Sequence, residues 1–400
     1  MNSQRGSDFA GRNEGAPKRE SRSRLLKHEM PGLDVLRGVA IMMVVMFHGL
    51  SWDIPQRPPA HSLAARSMVV FDGGWLGVFL FFVLSGFLIT GILLDSKQST
   101  RYWRSFYTRR VLRIIPPFLL VLIAIKIFAH ATWAYLLVCL AYLANYAIAW
   151  QMSGFVYGPL WSLAVEEQFY LGWPWFVKFL SRRKLAAIAI ASIVASPFLR
   201  YISMAGILPL GNAHTTTWLI ADNLSMGGLL AIVLRSRWGT TANVRRLAWI
   251  LAGIGVVTLF AAGSLGALNR ASMIGYALET VPFEFLFAAL LLVSLFVGDR
   301  PAVLTWTRPL RFLGYISYGL YLYHELVFEV LDWQLRRAGF FLRWSARDWA
   351  LRFLFESTVA VMIAYVSRRY FEGYFLGLKA RMVRTSGRAA GGERFEAAVS

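Results

Sequence analysis

Apolar stretches recur along this chain at the length of a bilayer crossing. They fall at 33–50, 74–94, 111–129, 132–150, 163–180, 185–203, 217–234, 247–264, 279–297, 312–331 and 350–367. A helix needs roughly 20 apolar residues to traverse the hydrocarbon core, rising about 1.5 Å per residue. Lipid offers the backbone no hydrogen-bond partners, so continuous runs of this kind must close their bonds internally as helices. The expected fold is an all-α polytopic membrane helix bundle. Composition agrees: 57% of residues are hydrophobic and only 16% are charged, against roughly 25% charged in ordinary soluble chains. The net charge of +20 raises nucleic acid as a partner. The basic residues, however, sit in short segments between apolar runs, as in cytoplasmic membrane loops. No soluble domain remains to bind nucleic acid, and none is expected as a partner. Cys139 stands alone, so neither an internal disulfide nor a cysteine metal site can form.

Residues 1–32 are polar, basic and poor in aromatics, which predicts a disordered cytoplasmic tail. They lack the pattern of a signal peptide, because the first apolar run starts late and no small-residue cleavage site follows it. Residues 374–400 read as a second basic cytoplasmic tail, leaving 33–373 as the membrane-integral domain. Charge then fixes the topology. If all eleven segments crossed, Arg182-Arg183-Lys184, the Arg235 to Arg246 cluster and the C-terminal tail would lie outside, against the positive-inside bias. If 111–150 makes one net crossing, 30 Lys/Arg fall on cytoplasmic segments against 8 on outer ones. The prediction is therefore about ten transmembrane helices with both termini cytoplasmic. One of segments 111–129 and 132–150 would be re-entrant or interfacial, which lipid tolerates only where protein or a cavity covers it. The outer segment 332–349 carries Arg336, Arg337, Arg343 and Arg347 among aromatics, which suggests an amphipathic helix on the membrane surface.

Ionisable residues inside such segments are costly, and mark functional sites by default. Arg37 and His48 are eleven residues apart on the first helix. That is three turns plus about 20°, so they share a face about 16 Å apart along the axis. Arg37 can equally snorkel to phosphates, and His48 can simply bond a neighbouring helix. Arg110 and Arg113 lie at i, i+3 before Pro116-Pro117, presenting two guanidinium forks together. Such a pair suits a phosphate, or a lipid headgroup anchor. Glu166 and Glu167 open the fifth segment 100° apart, so they cannot face one groove. Glu166 can also be structural, bonded to an indole such as that of Trp161. His324-Glu325 and Asp222 lie towards the outer ends of their segments, and Ser85-Gly86 reads as a helix-packing site. His48, Glu166 and His324 should thus gather in the outer half, with Arg37, Arg110 and Arg113 on the cytoplasmic side. A carboxylate-polarised histidine is a general base for a hydroxyl.

At these residues the chain resembles the acyltransferase family 3 membrane proteins, the membrane-integral O-acyltransferases that include bacterial sugar O-acetyltransferases. The resemblance rests on the Arg37 to His48 spacing, FFVLSGFLIT, RRVLRIIPP, WSLAVEEQFYL with Trp173-Pro174, and ISYGLYLYH, in the family's order across roughly 32–372. It implies transfer of an acyl group, usually acetyl from cytoplasmic acetyl-CoA, to a hydroxyl of a carbohydrate or cell-envelope glycan in the bacterial inner membrane. Arg37 and His48 would be the essential pair, Arg110 and Arg113 would handle the donor, and Glu166 would match the family's acidic position. Phe118 stands where the family often has tyrosine. Some members carry a C-terminal esterase-like domain; without one, a second transfer step is expected to need another protein.

The expected mechanism follows from combining the two lines. Acetyl-CoA docks its phosphates near Arg110, Arg113 and Arg37, and His48 deprotonates the acceptor hydroxyl or carries the acyl group. Glu166 or His324 orients or polarises it, and no metal is required. The acceptor would be a carbohydrate or a glycolipid. The rival expectation is a proton-coupled exporter or transporter of a lipid or glycan, since intramembrane His and Glu also fit a proton relay.

Overall fold

In the computed structural model of this chain the described residues run from 25 to 378, less 27–28, 53–61, 148–149, 151, 153, 209–211, 213, 267, 269–271, 299 and 341–344. Most of the expected N-terminal tail, and residues 379–400 of the C-terminal one, lie outside them. The described residues form fourteen α-helices and no strand. The first seven are α1 (Pro31–Phe47), α2 (Leu63–Asp72), α3 (Leu76–Ser96), α4 (Tyr102–Phe128), α5 (Trp133–Leu140), α6 (Leu160–Phe179) and α7 (Arg182–Met204). The rest are α8 (Ala221–Leu234), α9 (Thr241–Ser264), α10 (Met273–Leu278), α11 (Val281–Val297), α12 (Pro301–Trp306), α13 (Arg308–Arg337) and α14 (Ala346–Val366).

Seven helical stretches, those built on α1, α3, α4, α7, α9, α11 and α14, are long and apolar enough to cross a membrane by length and composition. With α6, α8 and α13, ten helices of at least fourteen residues stand where ten crossings were expected. Local chemistry sets several of their starts. Pro31 opens α1, where its missing N–H costs nothing. The side chains of Ser181, Thr240 and Ser345 accept backbone N–H groups at the first turns of α7, α9 and α14.

The structure settles which segment is the irregular one. Segment 111–129 lies within α4, which runs unbroken through Pro116-Pro117. Segment 132–150 holds only the eight-residue α5, about 12 Å long, flanked by His130 and Tyr142 at positive φ of 53° and 54°. Between α5 and α6 the described residues hold turns and a 3-10 turn at Ala144–Tyr146, with no further α-helix among them. Consequently the basic loops converge on one face. The Lys97 ammonium donates to the Leu180 carbonyl (2.6 Å) and Lys178 donates to the Lys97 carbonyl (2.8 Å). Arg235 grips both Asp95 oxygens (3.0 and 2.9 Å), and Arg182 donates to the Arg235 carbonyl (2.8 Å). Eleven crossings would have put Lys97 and Leu180 on opposite faces. This crowding, together with burial, pulls the Lys97 ammonium below the usual lysine pKa: burial first, then Arg182 and Lys178.

One expectation is corrected. The surface helix over 332–349 does not exist as a separate element among the described residues. Instead α13 continues to Arg337, with Asp332 paired to Arg336 (3.5 Å) and to Arg352 of α14 (2.7 Å), and α14 begins at Ala346. Helical structure after α14 continues to Leu378.

The core forms two adjoining clusters, one around α4, α5, α6 and α13 and one around α1, α3, α8 and α11. Close backbone contacts set the register that matters for function. A Cβ at Gly38 would strike the Leu310 backbone, and one at Gly314 would strike the Asp34 carbonyl. The helices α1 and α13 therefore run side by side with almost no side chain between them at this level. Gly38 and Gly314 are offset by the same 276 residues as His48 and His324. Ten residues, about 15 Å, further along both parallel helices, that register brings the two histidines together.

Candidate active site

His48 ends α1 and opens a π-helical turn, His48–Trp52. Single π turns are rare and occur often at functional positions. The His48 ring lies 4.9 Å from the His324 ring, centroid to centroid, and His324 is fully buried. Hydrogen bonding assigns the protons. His324 Nδ1 faces the Leu320 carbonyl (3.0 Å) and the Tyr321 carbonyl (2.9 Å). Carbonyls only accept, so this nitrogen carries the hydrogen and leaves Nε2 an acceptor. His48 Nδ1 faces the Val44 carbonyl (3.0 Å) and His324 Nε2 (3.2 Å) and donates to both. The chain of assignments leaves His48 Nε2 as a lone pair. It points at the Glu325 carboxylate, 3.6 Å away, placing an acid where an imidazolium formed at His48 would be stabilised.

The carboxylate beside His48 is thus Glu325 rather than Glu166. Glu325 directly follows His324 in the sequence, and that adjacency is the signal that could have singled it out. Its other oxygen accepts the Gly158 backbone N–H (3.3 Å), delivered by the segment that returns from α5. Tyr157, next to Gly158, is fixed by Tyr135 of α5, and its hydroxyl bonds the Leu322 carbonyl (2.8 Å) and the Leu326 N–H (3.1 Å) of α13. The irregular segment therefore packs on one side against α13 through Tyr135 and Tyr157 and seats one wall of the site, while Trp133, Leu137 and Leu140 stay exposed on its other side. A Cβ at Gly158 would sit 2.6 Å from Glu325 Oε2. Gly158→Ala is accordingly expected to push this carboxylate aside and cut turnover at least about tenfold while the protein still inserts. Steady-state rates on detergent-extracted protein would check it.

Glu166 belongs to a second group. It accepts the Tyr170 hydroxyl (3.1 Å), not the indole of Trp161, and Tyr170 also pairs with Ser85. Arg110 stacks over the Tyr170 ring (3.8 Å), and both Arg110 and Arg113 lie within electrostatic reach of Glu166. Arg37 pairs with Asp34 (2.5 Å). Around Arg113 gather Arg37, Arg110 and a residue not foreseen, Arg368. Arg368 stands in the π turn after α14, paired with Glu372 (3.7 Å). In the sequence it reads only as a basic stop after an apolar run. Tyr321 links the two groups: its hydroxyl pairs with Ser162, one turn before Glu166, and its ring lies 6.0 Å from that of His324. Asp222 takes no part, being consumed by buried Arg200 (2.7 Å).

His48, His324 and Glu325 offer ligand atoms within 4.8 Å of one another. They could share a cation only by giving up the hydrogen bond between the imidazoles. As they stand, they form a base with a fixed tautomer beside a cluster of arginines, an arrangement suited to moving a proton or an acyl group next to a bound anion.

Residues 30–368 match the acyltransferase domain family, acyltransferase 3. The chain is similar to YrhL of Bacillus subtilis, provisionally named a peptidoglycan O-acetyltransferase, with 29% identity over 74% of this chain and 48% of that protein. It is similar to the peptidoglycan O-acetyltransferase OatA of Listeria monocytogenes, with 26% identity over 76% and 50% respectively. To the O-acetyltransferase OatA of Staphylococcus aureus it is 31% identical over 38% and 26%. The chain spans about half the length of the first two of these relatives. No solved structure matches it significantly.

Proposed function

The chain belongs to the acyltransferase 3 domain family, and from that premise we propose that it is a membrane O-acetyltransferase acting on a cell-envelope glycan, with acetyl-CoA as donor. Membership implies an acyl donor; the coenzyme A ester and the glycan acceptor are the finer parts of the proposal. The single observation that carries it is the tautomer chain from the Leu320 and Tyr321 carbonyls through His324 to His48, which leaves Nε2 as the available base. The gathered arginines support the donor assignment. Arg110, Arg113 and Arg37 hold phosphates, and the roughly 16 Å between the levels of Arg37 and His48 is of the order of an extended pantetheine arm.

In direct transfer, His48 Nε2 takes the acceptor's hydroxyl proton as the oxygen attacks the thioester carbonyl. The C–O bond forms, the C–S bond breaks, and the thiolate leaves and takes up the proton from the imidazolium. In the two-step version Nε2 attacks first, releasing the thiolate; the acceptor oxygen then displaces imidazole from the acyl group, and its hydroxyl proton passes by way of the Glu325 carboxylate to the thiolate. Both versions require the same lone pair and the same Glu325 partner. His324 acts through His48 in either. Arg-lined phosphates would enter from the face where the basic loops meet, which the positive-inside bias makes cytoplasmic.

Relatives named for peptidoglycan O-acetylation make peptidoglycan the first acceptor to try. Membranes containing the protein, given radiolabelled acetyl-CoA and peptidoglycan fragments, are expected to yield covalently acetylated glycan, with EDTA making no difference. Uptake of label without a covalent product would identify a transporter instead. Loss of labelling in EDTA would move the His48–His324–Glu325 group to a metal role.

A further inference from the structure

We propose that Arg352, held by Asp332, is a positioning residue for His48 that acts through the Gly49 carbonyl. The proposal rests on His48 as the reacting group and concerns two residues outside the site described above. The π turn that begins at His48 closes a helical run, and carbonyls at a helix end need donors from elsewhere. For Gly49 that donor is a side chain more than three hundred residues away: Arg352 Nη2 donates to the Gly49 oxygen at 2.7 Å. Arg352 is 3% exposed. Its Nη1 donates to Asp332 of α13 at 2.7 Å, and its Nε faces Glu356 across 3.9 Å.

A charged group taken this far from water is expensive, and a buried ion pair alone is weak evidence for stability. Tying α13 to α14 could be done by apolar packing. What apolar packing cannot do is donate a hydrogen bond to a particular carbonyl, and this guanidinium is aimed at the carbonyl of the residue directly following His48. The rest of the seat agrees. A Cβ at Gly49 would lie 2.6 Å from the Phe353 ring and 2.8 Å from the Phe328 ring. Arg352 and its neighbour Phe353 thus fix the turn from α14, while Phe328, whose ring also meets that of His324 (5.9 Å), fixes it from α13. Rotation of the Gly49 peptide would swing the His48 side chain away from His324 and Glu325. A displacement of about 1 Å at a reacting atom can cost about a hundredfold in rate.

The test, run in a Glu356→Gln background, replaces the ion pair by apolar residues of similar volume, Arg352→Met with Asp332→Leu, so that no buried carboxylate loses its cation and only the exposed Arg336 loses a partner. It is read on the full-length protein with acetyl-CoA and peptidoglycan fragments. The expected result is an unchanged gel-filtration profile, kcat reduced about a hundredfold and the acetyl-CoA KM within about twofold. Arg352→Lys, which keeps a donor for the carbonyl and a charge for Asp332, should recover roughly tenfold of that loss. It also serves as the probe should the double variant not fold. Wild-type kcat in the double variant, or an Arg352→Lys variant no better than it, overturns the proposal. His48→Ala is run alongside. If His48→Ala is inactive and the double variant is normal, only the Arg352 role is lost; if His48→Ala stays active, the reading of the site itself fails.

Discussion

His48→Asn is expected to lower turnover by about three to four orders of magnitude while leaving the protein folded and its affinity for acyl-CoA nearly unchanged. Asparagine places an amide close to the position of imidazole Nδ1, so it can keep the contacts with the Val44 carbonyl and His324. What it removes is Nε2, the lone pair facing Glu325. General-base assistance is worth about 10² to 10⁴, and loss of a covalent carrier would put the effect at the upper end or beyond. Neighbouring substitutions should rank below it. His324→Gln can set an amide oxygen where His324 Nε2 accepts from His48, so it should retain far more activity than His324→Leu, which leaves the His48 N–H only the Val44 carbonyl and frees the ring to shift. Glu325→Gln keeps the shape but loses the charge that stabilises an imidazolium, and should fall between the two histidine variants. Rates for the four proteins at saturating donor check the order. His48→Asn with more than a tenth of wild-type turnover would remove His48 from the chemistry.

The bundle was legible because lipid leaves a long apolar segment few structural choices. Counting basic residues on alternate loops identified the region of the irregular element, and the packing of Lys97 against Leu180 agrees. The sequence could not say whether 111–129 or 132–150 was broken, since both are apolar and a proline pair inside a helix removes backbone hydrogen bonds. Pro116-Pro117 sits inside a continuous helix all the same. The pairing of His48 with His324 was partly legible: both were singled out, but the register that joins them depends on Gly38 and Gly314, ordinary glycines in a one-dimensional reading. Glu166 shows the limit most clearly. Topology assigned it to the His48 end, yet a helix passes through every depth, and its position beside Tyr170, Arg110 and Arg113 is set by packing against α3 and α4. Arg352 and Arg368 were invisible for a related reason. Each belongs to α14 or the turn after it, and nothing local distinguishes an arginine that reaches inward from one that anchors the helix in headgroups.

Neutralising the arginine pair should act on donor binding and spare chemistry. Arg37, Arg110, Arg113 and Arg368 gather where like charges repel. Asp34 offsets Arg37 and Glu372 offsets Arg368, while Glu166 is shared between Arg110, Arg113 and the Tyr170 hydroxyl. The remaining positive charge calls for an anion, which under the proposed function is a phosphate of the donor. A hydrogen bond to a charged group contributes about 1.5–3 kcal/mol, so Arg110→Gln with Arg113→Gln should raise the acetyl-CoA KM by at least about a hundredfold, with kcat within a few-fold. Arg113→Lys keeps the charge and loses the planar fork that pairs with two oxygens; about a tenfold rise is expected. Acetyl-dephospho-CoA sharpens the result, since it lacks the 3′-phosphate but has the same thioester. If the pair holds that phosphate, the wild type prefers acetyl-CoA and the double variant loses the preference. If the pair holds the pyrophosphate instead, both esters weaken together in the variant. A collapsed kcat at unchanged KM would mean that these arginines act on the transferring acyl group itself, which would place the reacting centre near Glu166 and Tyr170 and away from His48.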